Sequence, residues 1–355
     1  MVGHNLEMSK LTIQSRDGSY DVLIGSFLHS DGLAEGTAIL VDEAVVPLIG
    51  AHRPNLIILK ASENDKTLST VEQVIIEMKD LGLNRSSTLV AVGGGFVQDI
   101  ATLSSALFMR GISWTYMPTT FMAMVYSCIG GKSSINVNKF KNLLGNFYPP
   151  NKILVDLAFT KTLNPNAMAC GMSEAIKICY ARGPEEFSVF LDLRKKALDL
   201  NTSAGVELVT HVLDSKKWFI ENDEFDTGVR QLLNFGHTFG HALEAATSFK
   251  IPHGIAIALG MLAALDFDQT EAGPLEKELV AGIRAILDPV EELITVGAVD
   301  FNARVFENAF AGDKKNTEEH FRPILSFAGN LKAVQVPRSG EALERATSSM
   351  KKVLN

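Results

Sequence analysis

The stretch "NFGHTFGHALE", residues 234–244, places His237 and His241 four residues apart, a spacing that puts both on one face of a helix. Arg230 and Asn234 extend the series upstream, so the four stand at i, i+4, i+7 and i+11. At about 100° per residue they fall within roughly 60° of one another. The residues between them include Leu232, Leu233, Phe235 and Phe239, and Ala242 and Leu243 follow directly. A solvated stripe on such a helix would carry Lys and Glu. Arg, Asn, His and His read instead as the wall of a site, although either histidine alone would be read as a satisfied core residue. His253, in "IPHGIAI", opens another apolar segment, and Glu174 and Lys177, in "GMSEAIK", share a helical face at i, i+3. One Glu and two His would form a three-ligand zinc site with an open, catalytic position. These candidates come from three segments, so spacing alone does not select the set.

A second chemical feature is "VAVGGGFVQD", a strand, three glycines and a helix. Glycines allow close backbone approach to a phosphate, and a helix N-terminus offers free N–H groups. The GxGxxG fingerprint is incomplete, because Gln98 stands where the third glycine would be. A plain strand-to-helix turn is the competing reading. Asp99 could cap the helix or accept from a ribose hydroxyl. Downstream, "GGKSSINVNKFKNLLGNFYPP" carries Lys132, Lys139, Lys141 and Asn142 among glycines. It suits anion capture, with a solvated basic loop as the alternative. Arg110, in "MRG", either joins such a site or complements a helix C-terminus.

The elements that would position these residues follow from periodicity. "KLTIQSRDGSYDVLIGS" reads as a hairpin turning at Asp17-Gly18. "TAILVDE", "NLIILK", "STLVAVGGG", "ISWTYMP" and "KILVDL" read as buried strands, with helical spacing in "STVEQVIIEMKDLGL" and "FVQDIATLSSALFMRG". That alternation predicts a parallel sheet covered by helices. Helical periodicity then dominates in "NPNAMACGMSEAIKICYAR", "GVELVTHVLDSKKWFIEN", "VRQLLNFGHTFGHALEAATSF", "GIAIALGMLAALDFDQT" and "ALERATSSMKKVL". One hairpin, "FRPILSF" with "LKAVQVP", is joined through Gly329-Asn330. The expected fold is an α/β, Rossmann-like nucleotide-binding domain over 1–160 and a mainly α-helical metal- and substrate-binding domain over 161–355.

Composition narrows the function classes. The 355 residues suffice for two domains. A net charge of -8 excludes a nucleic-acid footprint, yet permits a local basic pocket for a small anion. Three cysteines, Cys128, Cys170 and Cys179, provide no disulfide framework and point to a reducing compartment. Neither a signal peptide nor a membrane-spanning apolar run is evident, so a cytoplasmic protein without a membrane partner is expected.

Taken together, "SENDK", "VAVGGGFVQDIA", "MRG", "MPTTFMA", "GGKSSIN", "KNLLGNFYPP", "GMSEAIK", "RQLLNFGHTFGHALE", "PHG" and "GDKKN" make the chain resemble the 3-dehydroquinate synthase and wider sugar-phosphate cyclase family. The motifs occur in the family's order over most of the chain. The resemblance implies a lyase with bound NAD and a divalent metal, Zn2+ or Co2+, in a homodimer. Glu174, His237 and His253 would then hold the metal. The cofactor would meet Asp42, Glu63, Lys66, Gly94, Gly95, Phe96, Val97, Asp99, Thr119, Thr120, Lys132, Lys141, Phe159 and Thr162. The substrate phosphate would meet Lys132, Asn142, Lys314 and Arg110, the last of these arriving from a partner subunit, and "DKK" leaves Lys314 and Lys315 interchangeable. Lys132, Lys177, Lys216 and His241 would be catalytic, with His241 facing substrate rather than the metal.

Arg230 and Asn234 match the dehydroquinate synthase pattern for holding a substrate carboxylate. This favours 3-deoxy-D-arabino-heptulosonate 7-phosphate, converted to 3-dehydroquinate with loss of phosphate in the shikimate route to aromatic amino acids. Two positions depart from the family. Tyr126 stands where an acidic residue precedes the GGK lysine, and Ile255 stands where one is common after "PHG". They keep open an amino analogue or sedoheptulose 7-phosphate as substrate. An NAD-dependent polyol dehydrogenase, or a non-catalytic relative, are the competing classes.

Overall fold

The computed structural model describes residues 8–16, 18–27, 38–50, 55–138, 140–268 and 272–355. The strands are β1 Ser9–Ser15, β2 Gly18–Ile24, β3 Ala38–Asp42, β4 Leu56–Leu59, β5 Thr88–Gly93, β6 Ser113–Pro118, β7 Ile135–Val137, β8 Phe140–Leu144, β9 Lys152–Val155, β10 His320–Phe321, β11 Ile324–Phe327, β12 Asn330–Ala333 and β13 Val336–Pro337. The α-helices are α1 Val46–Ile49, α2 Leu68–Asp80, α3 Gly95–Leu107, α4 Pro165–Arg182, α5 Pro184–Lys196, α6 Ser203–Asn222, α7 His237–Ala246, α8 His253–Phe267, α9 Pro274–Leu287, α10 Glu291–Asp300, α11 Ala303–Ala311 and α12 Gly340–Leu354.

Two compact units result. One combines Met1–Leu163 with Leu193–Glu224, and the other combines Asn164–Asp192 with Phe225–Asn355. A single boundary at 160 is the simpler division, but α6 belongs with the first unit. Its C-terminal end is tied to β1: Gln14 N donates to Glu221 Oε1 at 2.8 Å and Arg16 N to Glu224 Oε2 at 2.8 Å. Periodicity shows that a helix forms there, not which sheet edge it covers.

The first unit is built on a seven-stranded sheet ordered β1-β2-β9-β6-β5-β3-β4. β1 and β2 are antiparallel, and the remaining neighbours are parallel. Leu40, Val41, Ala91 and Val92 are fully buried, as expected of strands covered on both faces. The hairpin closes with Ser15 opposite Gly18, while Asp17 of the expected turn lies outside the described residues. The basic stretch is not an open loop. It folds as the antiparallel pair β7–β8, and Lys139 likewise lies outside the described residues.

The second unit is helical, and glycines set its closest contact. A Cβ on Gly236 would stand 2.7 Å from Ile257 O, and one on Gly260 would stand 2.2 Å from Gly236 O. These glycines let α7 and α8 approach at backbone distance. The hairpin of β11 and β12 pairs Phe327 with Asn330. Its turn is therefore Ala328-Gly329, both at positive φ, one residue earlier than the Gly329-Asn330 junction read from sequence. Among the described residues, no helix is long and apolar enough to cross a membrane.

Candidate active site and metal centre

The helix read through "VRQLLNFGHTFGHALEAATSF" is broken. Val229–Asn234 is a short 3-10 turn, and α7 starts only at His237, behind Gly236 in the left-handed conformation at φ 79°. Only glycine adopts that conformation without cost, and it also frees the space that α8 fills. The single polar stripe from Arg230 to His241 is thus two segments. Arg230 is buried at 5% exposure, and Asn234 donates to Gln231 O at 3.0 Å. The break leaves Phe235 O facing His237 Nδ1 at 3.5 Å, which directs Nε2 of that buried ring elsewhere.

His237, His241 and His253 converge, each offering a nitrogen within 4.8 Å of the others'. The burial differs: His237 is buried, His253 half-buried and His241 exposed. Glu174, on α4, has no exposed surface. Its Oε2 receives Lys177 Nζ at 2.5 Å. Its Oε1 is buried with no hydrogen-bond partner among the described residues, and lies 4.0 Å from His253 Nε2. That gap is too long for a hydrogen bond, and an unpaired buried carboxylate oxygen is costly. A cation between carboxylate and imidazole would resolve both, so the donor set fits a divalent metal.

Electrostatics keep the rings of His237 and His241 neutral. Burial, followed by the charge of Lys177, holds His237 well below its ordinary range. Desolvation and the neighbouring His253 push His241 down to about 4. Burial also lowers Lys177, with Glu174 acting in the opposite direction. Of the two lysines in "DKK", Lys314 is exposed. Lys315 bonds Asp313 at 2.8 Å and lends its charge to the field on both His237 and His241. Of the two, Lys315 is thus the one beside the histidine cluster.

In the first unit, the glycine turn leads from β5 into α3 with no side-chain cap at Gly94, so the first-turn N–H groups remain available. A Cβ on Gly94 would meet Thr120 Cγ2 at 2.9 Å. Gly95 has open space beside it, where a phosphate could approach. Phe96 is half-buried, whereas Val97 is fully buried against Gly93, so only its backbone could serve a ligand. Gln98, the missing third glycine, links α3 to the turn at Ala123–Ser127 through Ser127 O at 2.7 Å and Ser127 Oγ at 2.6 Å. Asp99 does not cap the helix. Its Oδ2 pairs with Lys66 at 2.6 Å and its Oδ1 accepts from Ser134 N at 2.8 Å. Burial raises its carboxyl and Lys66 opposes this.

Asn142 joins that group, receiving Lys66 Nζ at 3.0 Å and Ser134 Oγ at 2.9 Å. Glu63 accepts from Asn136 Nδ2 at 3.0 Å. Asp42 caps the turn Glu43–Val45, and Thr120 Oγ1 accepts from Ala123 N. Thr119 is buried, and Thr162 donates to the carbonyl of the buried Phe159. Sequence reasoning missed Ser134 and Asn136, which the β7–β8 hairpin carries to Lys66 and Glu63. Neither residue type nor spacing signals them.

Lys132 and Lys141 are exposed, and Lys132 Nζ lies 5.9 Å from the Phe147 ring centroid. Arg110, also exposed, does not end α3: it follows Met109 in the left-handed region at φ 67°. Two such non-glycine residues in succession store backbone strain. Lys216, expected to touch substrate, is 3% exposed. Its ammonium donates to Tyr126 O and Ile129 O and lies 4.2 Å from the Tyr126 ring centroid. The tyrosine that departs from the family pattern thus supports this lysine through both carbonyl and ring.

Residues 56–170 match the family described as 3-dehydroquinate synthase N-terminal, and residues 171–316 match 3-dehydroquinate synthase C-terminal. The 3-dehydroquinate synthase of Saccharolobus solfataricus is 32% identical over 300 residues, covering 83% of this chain and 84% of that protein. A 2-deoxy-scyllo-inosose synthase complexed with carbaglucose-6-phosphate, NAD+ and Co2+ has the same fold, with a TM-score of 0.75 at 22% identity over 97% of this chain and 99% of that one. The 2-epi-5-epi-valiolone synthase of Streptomyces hygroscopicus, with NAD+ and Zn2+ bound, also gives 0.75 at 22%, over 96% and 98%. With both family segments matched in order and a relative at this identity along most of its length, the chain belongs to the 3-dehydroquinate synthase family.

Proposed function

We propose that the protein is a sugar-phosphate cyclase that converts 3-deoxy-D-arabino-heptulosonate 7-phosphate to 3-dehydroquinate with release of inorganic phosphate. The observation that carries this reading is the buried, unpartnered Oε1 of Glu174 facing His253 Nε2 beside His237, in a chain of this family. Glu174, His237 and His253 would hold zinc or cobalt, which supplies Lewis acidity at substrate oxygens when bound. NAD, at the glycine turn and the N-terminus of α3, supplies a hydride acceptor that is regenerated within the cycle.

The chain's own residues do the remaining work. Lys177 pairs directly with Glu174 and anchors its carboxylate. Arg230 binds the substrate carboxylate bidentately, with Asn234 beside it. His241, exposed and neutral, carries a proton to or from substrate. Lys315 and Lys132 attract phosphate, and Arg110 serves it from a second copy of the chain in a homodimer. Asp99 and Asn142 hold the Lys66 ammonium in place for the cofactor. Three buried cysteines, none in a disulfide among the described residues, suit a reducing, cytoplasmic setting. The deciding experiment is a substrate panel of the heptulosonate phosphate, its amino analogue and sedoheptulose 7-phosphate. The highest kcat/KM is expected for the heptulosonate phosphate, and a preference for either other sugar would overturn the substrate assignment.

A further inference from the structure

His253 is held from both sides. Its Nε2 faces Glu174 Oε1 at 4.0 Å, and its Nδ1 meets Glu244 Oε2 at 3.3 Å. Glu244 lies seven residues after His237 on α7, so the two share one face of that helix at about 100° per residue. Its side chain is largely buried, at 14% exposure. A carboxylate can only accept at this contact, so the imidazole donates from Nδ1, and in the neutral ring that a metal ligand requires this leaves Nε2 unprotonated. Two acceptors then confront each other across 4.0 Å. That confrontation is repulsive unless a cation lies between them.

We infer that Glu244 is a positioning residue that fixes the tautomer and ring plane of His253, so that Nε2 is presented as a ligand. This rests on the metal reading above. It assigns a role to a residue of "NFGHTFGHALE" that lies outside the proposed ligand set. The division of labour along α7 follows: His237 contributes a ligand from the first turn, and Glu244 holds another helix's ligand from two turns further on. His237 obtains the same service from Phe235 O. Outer partners of this kind change metal affinity by about 10–100-fold when removed.

The test measures zinc affinity of the full-length protein by chelator competition, together with the visible absorption bands of the cobalt-loaded form. Glu244→Ala should weaken zinc binding about 10–100-fold and shift the cobalt bands. Glu244→Gln, which still offers an oxygen to Nδ1, should restore most of the affinity. Glu244→Asp keeps the charge but falls short of the ring, so it should also weaken zinc. It serves as the second variant should the alanine protein not fold. Unchanged zinc affinity and cobalt bands in Glu244→Ala or Glu244→Asp would overturn the inference while leaving the metal site intact. Failure of the unsubstituted protein to take up zinc or cobalt would overturn the metal reading and this inference with it.

Discussion

Glu174 Oε1 and His253 Nε2 face each other at 4.0 Å, with the carboxylate fully buried and its other oxygen committed to Lys177. Neither group satisfies the other directly, and each comes from a different helix. The pair makes the choice of ligands testable. Glu174→Ala and His237→Ala should each lose bound zinc on dialysis, measured by elemental analysis of the purified protein. His241→Ala should retain it. Retention in Glu174→Ala together with loss in His241→Ala would favour the set of His237, His241 and His253 instead, and retention in His237→Ala would contradict both sets.

His241 is exposed beside that cluster, with its ring held down to about 4, so it is neutral at pH 7 and able to accept a proton. As a proton carrier, its replacement by alanine should lower kcat by about 10²–10⁴-fold and leave KM within a few-fold. A large rise in KM with kcat intact would make it a binding residue.

The departure at Tyr126 has a physical consequence. Its ring lies 4.2 Å from Lys216 Nζ, a contact of about 0.5–2 kcal/mol. Tyr126→Leu should lower stability by that amount in urea unfolding. Lys216→Met should cost more, because it strips the donor from the carbonyls of Tyr126 and Ile129. Equal or negligible losses would show that the pair does not support this turn.

The contact of α7 with α8 depends on glycine. Gly260→Ala places a methyl 2.2 Å from Gly236 O, and overpacking typically costs about 1–3 kcal/mol. A lowered thermal midpoint and reduced zinc content are expected together, because α7 and α8 carry His237 and His253. A variant as stable as the parent would contradict the close approach.

Glu276, 4% exposed, accepts from Gly329 N at 2.5 Å and Ser326 Oγ at 2.9 Å. Burial raises its carboxyl, but these donors outweigh it and hold the group below its ordinary 4.5. A depressed carboxyl contributes stability that is fully present above the unfolded value and is lost as pH falls through the folded one. Glu276→Gln should therefore remove part of the acid sensitivity of unfolding below about pH 4.5. It should also lower stability at pH 7 by about 1–3 kcal/mol.

The parallel sheet, its glycine turn and most helices were legible because short continuous apolar runs and period-3.6 burial leave direct marks, as in "TAILVDE" and "STVEQVIIEMKDLGL". The continuous helix through Arg230 and His241 was misread. Apolar periodicity runs unbroken across Gly236, and only the approach of α8 reveals the break. Adjacent lysines differ only in direction, so the sequence does not say that Lys314 is exposed while Lys315 pairs with Asp313. The pairing of Asn142 with Lys66 depends on a hairpin returning to a distant turn, a contact that local spacing does not encode. Glu244 was within reach, standing seven residues after His237 in the same motif.

The central claim is most directly tested by incubating the purified protein with 3-deoxy-D-arabino-heptulosonate 7-phosphate, catalytic NAD and zinc, while following phosphate and NADH together. The account predicts phosphate released in proportion to substrate with no net NADH. NADH accumulating in step with substrate, or no phosphate at all, would contradict it.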